Sequence, residues 1–232
     1  MFLFCICMSD TDFILHQTVL TARPSGALWW QAARILCVSD LHLGKSERIA
    51  RRGGTLLPPY ETRETLRRIE VEVAALDPAT VICLGDSFDD NFSAHNLDED
   101  DRDQISRLMS GRRWIWIAGN HDSAPPDLGG TAVSVLERGP LVFRHIAHPK
   151  TDPGEISGHY HPKTSIQTRA GRITRPSFLH DHARLILPAF GAYTGGMFVD
   201  DPALRGLFQA EAYSILTGNP TRSIPLAAEK VA

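Results

Sequence analysis

ARILCVSDLH, residues 33–42, decides how the rest of the chain is to be folded. Ile35–Val38 form an unbroken apolar run, and the residues that follow turn polar at Ser39, Asp40 and His42. A short apolar run of this kind reads as a strand buried on both faces, which is how strands of helix-covered parallel sheets appear in sequence. Its polar end marks the carboxyl edge of the sheet, where ligands gather in open α/β folds. The pattern returns. ATVICLGD (79–86) ends in Asp86, RRWIWIAGNHD (112–122) ends in Asn120, His121 and Asp122, and VFRHIAH (142–148) ends in His148. SGHYHPK (157–163) adds His159 and His161.

The segments between these runs supply the covering layers. In ETRETLRRIEVEVAALDP (61–78), Leu66, Ile69, Val73 and Leu76 recur at helical spacing, and Pro78 stops the pattern. LDEDDRDQISRLMS (97–110) reads as a helix whose acidic first turn suits its dipole. HQTVLTA (16–22) reads as an edge strand, ALWW (27–30) as a short strand, and residues 45–54 as a basic loop or helical turn. A hairpin-like turn at RGP (138–140) opens a strand-rich second half, and ARLILPAFGAYTGG (183–196) is a late strand running into a glycine-rich loop. Helices and strands alternate early and strands dominate late, which predicts one sheet-rich α/β sandwich over residues 16–232. Residues 1–15 are expected to stand outside it as a disordered or misannotated leader. MFLFCICM lacks the basic flank and small-residue cleavage site of a signal peptide, so translation is expected to begin at Met8.

Composition narrows the function classes. The chain has 232 residues, is 43% hydrophobic and 22% charged, and carries a formal charge of −3, so it can bury a core and has no global basic field for nucleic acid. Four cysteines in a chain this long make no disulfide framework, and no apolar run is long enough to span a membrane, so a cytoplasmic protein is expected. Ten histidines are many, and several fall at the strand ends.

Asp40, His42, Asp86, Asn120, His121, Asp122, His148, His159 and His161 are all oxygen or imidazole donors, with no thiolate among them. That set suits manganese, iron or zinc. It exceeds one tetrahedral shell and fits two ions sharing a carboxylate. On a strand, residues two apart point the same way, so His159 and His161 are expected to face one site. His145 lies three residues before His148, on the opposite strand face, and is set aside. His180 and His182 read as surface or hairpin residues. Lys45, Arg48, Arg51 and Arg52 follow the first motif and are candidates for binding a phosphodiester substrate. Lys163, Arg169, Arg172 and Arg175 read as a solvated basic face. No aromatic residue interleaves with either basic group, so base stacking is not indicated.

DLH, GDSFD, GNHD, AHP and GHYHP, in this order, resemble the calcineurin-like metallophosphoesterase superfamily. TLLPPYETR and LPAFGAYTGG make the chain most similar to bacterial ligase-associated DNA-damage-response phosphoesterases of the PdeM type. The resemblance implies a four-layer α/β/β/α sandwich with two divalent ions at one edge, manganese foremost, with iron, zinc or nickel as alternatives. Asp40, His42 and His161 would hold one ion, Asn120, His148 and His159 the other, and Asp86 would bridge them. A water between the ions would attack phosphorus as hydroxide. His121, not a ligand, would protonate the leaving oxygen, and Asp89 would orient it, or else Asp89 and Asp90 would cap a helix or turn. The implied activity is endonucleolytic cleavage of DNA in repair, beside ligase, helicase and nuclease partners. A diesterase or monoesterase acting on small molecules, and a metal-stabilised subunit without turnover, are the rival readings.

Overall fold

The computed structural model describes residues 10–54, 58, 60–122, 128–150, 153–209 and 211–226. Its strands are β1 (Thr11–Leu15), β2 (Thr18–Ala22), β3 (Leu28–Trp30), β4 (Ile35–Val38), β5 (Thr80–Leu84), β6 (Arg113–Ile117), β7 (Thr131–Val133), β8 (Val135–Arg138), β9 (Leu141–Arg144), β10 (Glu155–Ser157), β11 (Lys163–Thr168), β12 (Gly171–His180), β13 (Arg184–Ile186), β14 (Tyr213–Leu216) and β15 (Arg222–Pro225). The helices are α1 (Lys45–Arg51), α2 (Glu61–Leu76), α3 (Asn91–His95), α4 (Glu99–Met109) and α5 (Pro202–Arg205). No helix among the described residues is long and apolar enough to cross a membrane.

One sheet has the order β1-β2-β3-β4-β5-β6-β7 and the other β15-β14-β12-β13-β10-β9-β8, with β11 attached only to β12. Period-two alternation explains how they stack. Leu36, Val38, Val81, Cys83, Trp114 and Trp116 point outward and meet Leu66, Ile69 and Val73 of α2 and Ile105 and Leu108 of α4. The intervening residues Ile35, Cys37, Ile82, Leu84, Ile115 and Ile117 point inward and meet Leu141, Phe143, Ile156, Phe178, Leu185 and Ile215 of the second sheet. The outer face of that sheet is covered by Leu204 of α5 and by loop residues such as Met197 and Val199. The expected sandwich is therefore present, with a thin fourth layer of one helical turn and loops. Cys37 and Cys83 pack as core residues, and burial pushes both thiols well up.

The domain begins earlier than residue 16. Thr11–Leu15 pair antiparallel with β2 through a turn at His16 and Gln17, both in the left-handed region. Residues 1–9, including Met8, lie outside the described residues, as do Thr55–Leu57 and Pro59 of TLLPPY.

Register aligns the functional ends. β4, β5 and β6 run parallel, with Val38 opposite Cys83 and Cys83 opposite Trp116. The next residues therefore emerge side by side: Asp40 N–H bonds Gly85 O, and His121 N–H bonds Asp86 Oδ1. In the second sheet β9, β10 and β13 are also parallel, and Gly158 N–H bonds His145 O just past their ends. Both sheets thus deliver their carboxyl ends to one edge.

Candidate metal centre

Three groups of donors meet at that edge among the described residues: Asp40, His42 and His161; Asp86, His145 and His159; and His42, Asp89 and His121, with the donor atoms of each group within 4.8 Å of one another. The backbone that presents them is unusual. Asp40, His42, Asp86, His159 and His161 all have φ between 46° and 72°. Non-glycine residues seldom adopt this left-handed region, and holding them there costs about 1–3 kcal/mol apiece, a strain that tends to collect at functional sites. Glycines make the close packing possible. A Cβ on Gly85 would lie 2.3 Å from His145 Nδ1, one on Gly119 2.1 Å from Asp86 Oδ1, and one on Gly158 1.9 Å from Ser39 Oγ.

In the first group, His42 Nδ1 pairs with Asp89 Oδ1 at 2.9 Å. Its Nε2 then faces His161 Nε2 at 3.5 Å, and His161 Nε2 lies 3.2 Å from Asp40 Oδ1. Two imidazole nitrogens aimed at each other beside a carboxylate need a shared proton or a cation. Asp40 is buried, which alone would raise its pKa, but His161, His145 and the Ser39 hydroxyl hold it below the ordinary carboxylate value. In the second group, His145 Nδ1 donates to Leu84 O at 3.0 Å, so Nε2 faces Asn120 Oδ1 at 2.9 Å and Asp86 Oδ2 at 3.3 Å. Burial works to raise the Asp86 pKa, yet the hydrogen bond and charge of His145 hold it far below the carboxylate range. Burial would lower the His145 pKa, but Asp86 and Asp40 raise it. Burial and the neighbouring His145 lower that of His159. Both carboxylates are thus ionised among imidazoles, the donor chemistry of a site for borderline divalent cations. A carboxylate on the far nitrogen of His42 is the usual device for fixing a ligating imidazole.

The structure departs from the sequence reading at His148. Its side chain is exposed, with Nδ1 2.6 Å from the Lys150 carbonyl, and its backbone is held by Glu155 and Arg184. His145 takes the inward place. β9 ends at Arg144, and Leu141, Phe143 and His145 share the buried phase that His148 misses. His145, set aside in the sequence reading, is the histidine of this segment that faces Asp86 and Asn120. The apolar alternation 141, 143, 145 was the signal that could have identified it.

HYH also differs from expectation. β10 ends at Ser157, so His159 and His161 converge through left-handed backbone rather than strand alternation. Asp89 does not orient His121 with its carboxylate, which is engaged by His42 and by Arg48 Nε. It is the Asp89 carbonyl that lies 3.0 Å from His121 Nδ1. The capping role belongs to Asp90, which accepts from Ser93 N–H at the start of α3. His121 Nε2 lies 4.0 Å from Asp86 Oδ2, with the ring partly exposed.

Of the four basic candidates, Lys45 and Arg48 line the cleft over the centre, about 500 Å³, together with His42, Asp89, His121 and Tyr160. Arg51 bonds Asp90 and lies 4.1 Å over the Phe92 ring, and Arg52 is exposed at the end of α1. Sequence reading missed several supports. Asp122 is buried and accepts from the N–H groups of Ser87, Phe88 and Gly119, which locks the GDSFD and GNHD turns together. Burial raises its pKa to about 6. Glu61 and Thr62, at the start of α2, accept from Ser46 and Gly44. Thr65 and Arg68 hold the PAFGAY loop at Ala192 and Phe190. These are polar groups on the buried face of a helix that periodicity alone reads as apolar.

Residues 33–190 match the family model described as calcineurin-like phosphoesterase. No curated protein matches the chain. Among solved structures it is similar to one described as Pseudomonas putida nuclease MPE, at 27% identity and a TM-score of 0.72, over 94% of this chain and 100% of that one.

Proposed function

The chain belongs to the calcineurin-like phosphoesterase family and is a metal-dependent hydrolase, and from that premise we propose that it is a dinuclear-metal phosphodiesterase that cleaves DNA. The observation that carries the proposal is the meeting of two donor groups at one sheet edge, Asp40, His42 and His161 beside Asp86, His145 and His159, with Asn120 on the second. The similarity to a bacterial nuclease supports nucleic acid as substrate. Manganese as the working metal rests on the donor set and the motif resemblance, and a place in repair beside ligase, helicase and nuclease partners rests on that resemblance alone.

Divalent ions held by these residues supply a water of lowered pKa and polarisation of the phosphoryl oxygen. The chain's own groups do the positioning. Asp89 fixes the tautomer of His42 so that Nε2 faces inward. The left-handed turns at Asp40 and Asp86 aim ionised carboxylates into the cluster. His121 donates Nδ1–H to the Asp89 carbonyl and keeps Nε2 toward the cleft; as the imidazolium it would pass its Nε2 proton to the leaving oxygen and return to the neutral Nδ1–H form. Lys45 and the free N–H groups of Arg48 meet the non-bridging phosphate oxygens.

The test is a panel of aryl phosphodiester, aryl phosphomonoester and supercoiled plasmid with added manganese. The wild type should hydrolyse the diester and nick the plasmid, and Asp86→Asn should lose at least about a hundredfold of both. Turnover retained in that variant would refute the site. Monoester hydrolysis without plasmid nicking would refute DNA as substrate.

A further inference from the structure

A basic residue already paired with a carboxylate has less charge left to offer a substrate than an unpaired one. On α1, Arg48 is tied to Asp89 and Arg51 to Asp90. The β11–β12 ribbon is different. From Pro162 to Pro176 it carries Lys163, Arg169, Arg172 and Arg175 and no acidic residue. None of the four cations forms an ion pair with a carboxylate among the described residues. In a chain of net charge −3 this is a concentrated, uncompensated positive element.

Its geometry is that of an arm. β11 pairs only with β12, in six registered pairs from Lys163↔Pro176 to Thr168↔Gly171, so the ribbon is roughly 20 Å long. Arg172–Pro176 are all exposed, which leaves both faces of that strand in solvent. The ribbon is rooted in the metal centre: it starts two residues after His161, Ser177 N–H bonds Pro162 O, and Lys163 N–H bonds Met197 O. Met197 lines the cleft over the metal centre. Its neighbour Phe198, 40% exposed, lies under Lys163 Nζ at 4.3 Å and the Arg172 guanidinium at 5.9 Å. Phe198 and Arg172 border a second hollow of about 350 Å³ with Ser165 and Arg205, and Asp200 is the one carboxylate there. The fold thus interleaves an aromatic ring with cations that the sequence keeps apart.

We infer that the β11–β12 ribbon, with Phe198 at its root, is a guide for the phosphate backbone of a DNA strand, holding nucleic acid beyond the cleft and feeding it to the metal centre. This rests on the phosphodiesterase reading above and adds to it a binding element outside the catalytic cleft. A solvent-exposed two-stranded ribbon bearing unpaired guanidinium groups is suited to backbone contact, and binding of that kind is driven by counterion release and is strongly salt-dependent.

The test replaces Arg169→Ser, Arg172→Ser and Arg175→Ser together, all in the exposed ribbon. Binding of labelled single-stranded and duplex DNA is followed by fluorescence anisotropy between 50 and 200 mM salt in a His121→Gln background, and aryl diester hydrolysis is followed in the otherwise wild-type protein. Removal of three phosphate contacts should lower the slope of log affinity against log salt by about 2–3, and lower affinity at least tenfold at 100 mM salt. Aryl diester kcat/KM should stay within twofold, and the corresponding triple Arg→Lys variant should retain most of the affinity. Unchanged slope and affinity in the serine variant, with diester hydrolysis intact, would overturn the guide while leaving the phosphodiesterase reading standing. A parent protein that hydrolyses no diester would refute that reading instead. A parent that hydrolyses the diester yet binds neither DNA would overturn the guide at its premise.

Discussion

His145 and His148 show how much one position weighs at this edge. Both follow β9, yet one is buried against Asp86 and Asn120 and the other is in solvent. His145→Gln removes a nitrogen that faces a carboxylate and an amide oxygen. It should lower metal content and reduce diester turnover by roughly a hundredfold or more. His148→Gln should leave both within about threefold, because its imidazole is exposed and meets only the Lys150 backbone. Metal analysis of the two purified variants separates the assignments, and the reverse result would restore His148. Asp89→Asn is a gentler probe of the same shell. It keeps the carbonyl that holds His121 but weakens the fixation of His42, and should cost about 10–100-fold in metal affinity. Most donors at this scale were legible in the sequence, because Asp40, His42, Asp86 and Asn120 each follow an unbroken apolar run. His145 was less legible, since reading it required the phase of β9 to be carried past the strand's end. The buried acceptor Asp122, with three backbone partners, was not legible, since nothing in GNHD says where its last side chain turns.

At the scale of elements, β12 joins two environments. Its first half is the exposed ribbon, and its second half runs into the inter-sheet core at Phe178 and ends at His180. The His180 ring lies 4.6 Å from that of Phe13 and is stacked at 5.6 Å on Tyr213. Burial in this sandwich lowers its pKa from 6.5 to about 4, with His182 adding to the effect and Asp181 opposing it. A histidine with a lowered folded pKa binds its proton more readily when unfolded. Its contribution is therefore complete above pH 6.5 and is lost as the pH falls from 6.5 toward 4. Replacing His180 with Phe keeps the ring contacts and removes the titration. Across that window the wild type should lose on the order of 2–3 kcal/mol more stability than the His180→Phe variant, as read by urea unfolding at several pH values. Parallel pH profiles would show that His180 titrates normally. The sequence offered HDH only as an alternating pair. The partner rings come from β1 and β14, which are far away in the chain, so this environment could not be read locally. Residues 11–15, read with the leader, form β1.

At the scale of the molecule, the candidate centre is a seam. Asp40, His42, Asp86 and Asn120 come from the first sheet, while His145, His159 and His161 come from the second. A cation bound by Asp40, His42 and His161, or by Asp86, His145 and His159, therefore joins the two halves of the sandwich at one edge, where both sheets carry left-handed turns. The inter-sheet core of Cys37, Ile82, Leu84, Phe143 and Ile156 holds the halves together behind it. The sandwich was legible because apolar runs announce strands and helical spacing announces the cover. The seam was legible only through the order of the motifs, since sequence says which residues end a strand and not which sheet the strand joins. The division has a thermodynamic consequence. A ligand that binds only the folded state stabilises it by about 2.7 kcal/mol at a hundred times its Kd. For a domain of this size each kcal/mol is worth about 2–4 °C in Tm. Removing metal with EDTA from manganese-loaded protein should thus lower Tm by roughly 5–10 °C, in a calorimetric scan, for one site saturated to that degree. The Asp86→Asn variant, which lacks an ionised carboxylate at the seam, should show less than half that shift. His148→Gln should show all of it. An equal EDTA effect in Asp86→Asn and wild type would mean that the stabilising metal binds elsewhere, and that this edge is not the seam through which cations hold the two sheets.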